Sequence, residues 1–161
     1  MKKFCVFAFL AFYCSTSLAQ SLRGVSGHEQ CEKLESIENT LGSELLDKGE
    51  RHYVFNGVHF GRPVEVRYLC SGNSILVQFI SFQNLSKLEA KDVYLETMQT
   101  LATGYYGAPG REEFNADNEW ERVAAWSVED GTALLLLQMK DSGPNVSINR
   151  IWNRNSNKHR Q

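Results

Sequence analysis

The chain has 161 residues, 17 Lys and Arg against 19 Asp and Glu, 42% hydrophobic and 22% charged residues and only 3 Pro. This is the profile of an ordinary globular protein and excludes collagen-like, disordered and multi-span membrane classes. The length supports one domain, or two small halves sharing a core, with no metal needed to hold it together.

Residues 1–19 read as a secretory signal peptide. Lys2 and Lys3 make a basic start, Phe4 to Tyr13 is an unbroken apolar run, and Ser17-Leu18-Ala19 places small residues before a cut. Ten apolar residues at about 1.5 Å each cross only about half of a roughly 30 Å hydrocarbon core, so stable membrane insertion is not expected. Lipid attachment at Cys14 is a weaker alternative, because bulky Tyr13 precedes it. The expected destination is the periplasm or the medium. After cleavage 15 basic and 19 acidic residues remain, and residues 20–152 hold 12 basic against 19 acidic, a charge of −7. Such a body argues against nucleic acid as partner, since phosphate binding relies on clustered Lys and Arg. Residues 153–161, with Arg154, Lys158 and Arg160 among Asn and Ser, read as a disordered basic tail.

Cys5 and Cys14 leave with the signal, so Cys31 and Cys70 remain as a disulfide pair in an oxidising compartment. Closing a loop of about 40 residues contributes roughly 4 kcal/mol in the chain-entropy picture. The competing reading makes Cys31 a nucleophile assisted by His28, three residues earlier.

In chain order, Ser26-Gly27-His28-Glu29 has capping-box spacing, and Cys31, Leu34, Ile37 and Leu41 repeat at threes and fours, which predicts a helix over 27–46. Asn56-Gly57 between apolar neighbours predicts a hairpin turn. Val64, Val66, Tyr68 and Cys70 share one strand face, Ser71-Gly72-Asn73 turns, and Ile75 to Phe82 returns. Ser86-Lys87-Leu88-Glu89 is a second capping box. Leu88, Leu95, Met98, Leu101, Ala102 and Tyr105 form the expected apolar stripe of a second helix, ended by Gly104, Gly107 and Pro109. Gly107 to Glu119 reads as a polar loop. Trp120 to Val128 alternates, Asp130-Gly131 turns, Thr132 to Met139 is a buried strand, Ser142-Gly143-Pro144 turns, and Val146 to Trp152 closes the domain.

The fold class that follows is α+β: two helices packed on an antiparallel sheet, stapled by one disulfide, in a single domain over 20–152. The capping boxes lie 60 residues apart and the turn glycines Gly72 and Gly131 lie 59 apart, which suggests a tandem pseudo-repeat with halves 26–83 and 86–152.

Catalytic signatures are absent: there is no zinc-protease helix after His28-Glu29, no nucleophile elbow and no dinucleotide fingerprint. His52 and His59, on the two arms of the expected hairpin, are the candidate metal ligands, with Asp47 or Glu50 nearby, although facing histidines are common without metal. Glu112-Glu113, with Asp117 and Glu119, raises the question of a glycosidase-like pair, but a polar loop more simply solvates them. No cofactor and no metal is expected. Asn84-Leu85-Ser86 and Asn145-Val146-Ser147 fit a glycosylation pattern only in a eukaryotic route, whereas the Met-Lys-Lys start has a bacterial look. The best candidate surface is the 107–119 loop, with Glu112, Glu113 and Phe114 on it and Tyr105, Tyr106 and Trp120 beside it, since rings on an acidic rim are the composition of an interface anchor. The expected function is therefore a non-enzymatic exported protein-binding domain, an inhibitor, immunity or envelope-assembly factor, whose partner carries a basic surface. A small envelope hydrolase, with His52, His59 and the acids meeting in one cleft, or a small-ligand carrier is the alternative.

Overall fold

A computed structural model describes residues 22–27 and 29–153. The expected signal peptide, His28 and the tail from residue 154 lie outside the described residues. After two 3-10 turns, Leu22–Gly24 and Cys31–Lys33, come α1 (Leu34–Thr40), β1 (Glu44–Lys48), β2 (His52–His59), β3 (Arg62–Ser71) and β4 (Ser74–Phe82). Then follow α2 (Lys87–Leu101), β5 (Arg111–Asn115), β6 (Asn118–Val128), β7 (Gly131–Lys140) and β8 (Gly143–Trp152). All pairings are antiparallel, in one sheet of order β1-β2-β3-β4-β8-β7-β6-β5. Each four-strand meander follows a helix, and the two meet along β4 and β8.

Strand alternation builds the core. Phe55, Val66, Ile80, Ile148, Leu135 and Ala124 are register neighbours across six strands, all with 0% exposure. The helices cover this face, with α2 lying over β7 and β8. On the opposite face Leu69, Val77, Phe79, Leu134, Leu136 and Ile151 are only half-buried or exposed. Among the described residues nothing covers them.

Sulfur joins the layers as expected. Cys31 is bonded to Cys70, with the Cα atoms 6.4 Å apart, and both residues are buried.

The first helix is shorter than the 27–46 expectation. At its start the Cys31 N–H bonds to Asn73 O at 3.1 Å and Gln30 bridges Ser74, so pairing to the β3–β4 turn replaces helix there. At its end Gly42 takes φ 75°, a left-handed cap that L side chains resist, and the Gly42 and Ser43 N–H groups bond back to Asn39 O and Glu38 O. Glu44 to Lys48 is then free to pair with β2.

Asn56-Gly57 is likewise not a turn. Asn56 pairs with Glu44 and Glu65, and Gly57 pairs with Val64, inside β2. The hairpin closes instead at Phe60-Gly61, both at positive φ (48° and 73°). Gly57 serves close packing: a Cβ there would lie 2.5 Å from Ser43 Oγ and 3.0 Å from Arg23 Nη2.

Those two groups belong to a buried cluster around Glu38. Arg23 donates from Nε and Nη2 to the two carboxylate oxygens at 3.0 and 2.5 Å, from Nη2 to Ser43 Oγ at 2.7 Å and from Nη1 to Val58 O at 2.7 Å. Ser43 and Tyr68 hydroxyls donate to Glu38 at 2.6 and 2.5 Å, and Gln78 donates to Tyr68 at 2.9 Å. Burial alone raises the Glu38 carboxyl, but the bonds from Arg23, Ser43 and Tyr68 outweigh it and hold the group below the usual carboxylate range. The short segment Leu22 to Val25 is thereby core: Leu22 and Val25 are each 1% exposed.

The second half departs from expectation in three places. The α2 capping box at Ser86 and Glu89 is present, but the buried face is Ala90, Val93, Tyr94, Thr97 and Leu101, while Leu88 and Leu95 point outward. Residues 107–119 form β5 and the β5–β6 turn, not an irregular loop. The later turns sit at Glu129-Asp130 and Asp141-Ser142, so Gly131, Gly143 and Pro144 are already in strand.

Two stability outcomes follow. Replacing Cys31 and Cys70 together by Ala should lower unfolding free energy in urea by about 4 kcal/mol. Arg23→Met should cost about 3–5 kcal/mol by leaving Glu38 buried and unpaired, and the double change Arg23→Met with Glu38→Met should recover much of it.

Candidate protein-binding groove

The sheet is wider than the helix that covers it. Because α2 lies over β7 and β8, the β5–β6 hairpin stands as a wall beside it. Glu112 and Phe114 pair with Ala124 and Arg122, so both project toward the helix side. There they meet Tyr94, Leu95 and Met98 of α2 in a groove of about 420 Å³ that Glu113 also borders. Phe114 is 65% exposed and Leu95 47% exposed. The Arg122 guanidinium carbon sits 5.8 Å from the Phe114 ring centre.

Charges around the groove are partly engaged. Arg111 bonds to Glu113 on the far side of the strand. Lys91 of α2 reaches Glu119 at 2.7 Å and lies 4.8 Å from the Trp120 ring centre. That bond from Lys91 holds the Glu119 carboxyl below its ordinary range. Glu112 has no ion pair among the described residues, and together with burial it raises the Tyr94 phenol, burial being the larger cause. The hairpin tip is built locally: the Asp117 N–H bonds to Asn115 Oδ1 at 3.0 Å and Asn115 donates to Glu121 at 2.9 Å.

Of the six residues singled out in sequence, Phe114 and Glu112 meet at this groove, and Glu113 borders it from the other face of β5. Trp120 flanks it two residues from Arg122, half-buried on the helix side of β6. Tyr105 and Tyr106 belong elsewhere. Tyr105 sits 6.0 Å from Phe60, and Tyr106 packs 6.0 Å from Trp126, itself tied to Gly107 O at 2.8 Å. Burial pushes the Tyr106 phenol up to about 12. Met98 keeps its place on the core stripe, half-buried against the core, while Leu95 leaves it for the groove. The signal of Leu95 is an apolar helix position in excess of what one buried face uses.

His52 and His59 do not face each other. They occupy opposite ends of β2, seven residues and so roughly 23 Å apart. His52 bonds to Asp47 at 2.8 Å on the surface, while His59 is buried and stacked 4.0 Å from Phe60. The acidic hairpin lies toward the other edge of the sheet from β2. No protein-family model, curated protein or solved structure matches the chain. The reading of the groove rests on its own chemistry.

Burial, helped by the charge of Arg23, lowers His59 to about 4. A histidine whose folded value is depressed binds its proton more readily when unfolded. Its contribution is therefore full above pH 6.5 and is lost as pH falls toward 4, on the order of 3 kcal/mol. Unfolding measured between those pH values should show this slope, and His59→Phe should flatten it.

Proposed function

We propose that the protein is an exported, non-enzymatic protein-binding domain that presents the α2–β5 groove to a partner with a basic surface, in the manner of an inhibitor, immunity or envelope-assembly factor. The observation that carries the reading is Phe114: a large ring held on a strand, 65% exposed, above an apolar floor from α2 and beside Glu112, which has no ion pair among the described residues. An aromatic anchor in a pocket with a charged rim is how interfaces concentrate binding energy. The buried Cys31–Cys70 bridge supports an oxidising destination. No helix among the described residues is long and apolar enough to cross a membrane, which is compatible with release after export. The same proposal includes the tandem reading of residues 26–83 and 86–152, supported by matching element order.

The test is capture from envelope extracts, followed by mass spectrometry. Phe114→Ala together with Trp120→Ala should reduce recovery of the specific partner at least tenfold, and the association rate should fall as salt rises. Recovery equal to that of the unaltered protein would sink the reading. The single change Phe114→Ala, at an exposed position, should leave the melting temperature within about 2 °C, which separates lost binding from lost folding.

A further inference from the structure

We infer that β5 accepts an extended strand of the partner at its open edge, and that this strand is selected by an apolar residue two positions from a lysine or arginine. The inference rests on the groove being a protein-binding site and specifies how it binds.

Among the described residues only β6 pairs with β5, which leaves the other side of its backbone open, and all five of its side chains are exposed. An incoming strand would continue the alternation of the sheet. On the helix side it meets Phe114, with Leu95 and Met98 behind it, and two positions along it meets Glu112. An apolar side chain at i and a cation at i+2 fit those neighbours in an antiparallel strand, as in all the sheet's own pairings; a parallel strand would need the reverse order. On the other face Arg111 and Glu113 already pair with each other and add little selection.

Charge decides between a second copy and a different partner. If two β5 strands paired antiparallel, registers centred on Glu112, on Glu113 or between them would set glutamate against glutamate. Residues 111–122 hold two arginines and five acids, so the hairpin repels its own kind and attracts a basic strand. The opposite edge lacks this arrangement. β1 is kinked between Leu45 and Asp47, Asp47 is bonded to His52, and Lys48 is bonded to Glu35 at 2.5 Å.

The experiment uses the purified, disulfide-intact protein and two fluorescent nonapeptides. One is Thr-Val-Thr-Phe-Thr-Lys-Thr-Val-Thr. The other, Thr-Val-Thr-Phe-Thr-Thr-Lys-Val-Thr, moves the lysine to the opposite strand face. Anisotropy should show the first binding at least tenfold more tightly. Glu112→Lys and Phe114→Ala should each weaken it at least tenfold, and hydrogen exchange of residues 111–115 should slow on binding. Absence of binding, equal binding of both peptides, or binding without slowed β5 amides would overturn strand addition. Under any of those results, envelope capture that still depends on Phe114 would keep the groove as a binding site for a folded surface. Capture independent of Phe114 would remove both.

Discussion

A carboxylate cut off from water must be answered from within the protein, and at Glu38 the answer comes from three separate stretches of chain. Arg23 arrives from the segment before α1, Ser43 from the turn after it, and Tyr68 from β3. Desolvating an ion is costly enough that loss of the Arg23 charge leaves a deficit of several kcal/mol. The folded state thus ties segment, helix and sheet to one another at this carboxylate. Gly57 supplies the space, and the polar line continues through Tyr68 and Gln78 to the seam between the meanders, where Gln78 is the register partner of Arg150 and Arg150 is bonded to Asp130.

The groove is the other end of the same geometry. The core row that starts at Phe55 stays fully buried as far as Ala124, and the next neighbour in that row is Glu112. α2 covers β7 and β8, the half of the second meander next to β4, and buries Ala90, Val93, Tyr94, Thr97 and Leu101. Leu88 and Leu95 are left facing solvent. The pocket thus arises where a sheet outruns its helix, and needs no special loop.

Much of this architecture was legible from residue order. Alternation at Val64, Val66, Tyr68 and Cys70 located β3 and its buried face, the Ser86 and Glu89 pair located the start of α2, and the two cysteines announced their bond. The failures share a cause: a local signal overridden by a distant contact. Asn56-Gly57 has turn chemistry, yet the glycine is needed to admit Arg23 and Ser43, which no window around residue 57 contains. The continuation of the first helix past Leu41 was lost to pairing with β2. Gly107 to Glu119 looked irregular because both outer positions and edge positions of β5 are polar, which erases the alternation that marks a half-buried strand. Phe114, Glu112 and Glu113 were found through composition, whereas Tyr105 and Tyr106 were misplaced because a ring next to a helix end packs inward as readily as outward.

The segment from Leu22 to Val25 sets a limit on how far the chain can be shortened from its start. Removal through Arg23 would take away the guanidinium that closes on Glu38 and leave that carboxylate stranded in the interior. A truncation that keeps the fold therefore has to stop short of Leu22.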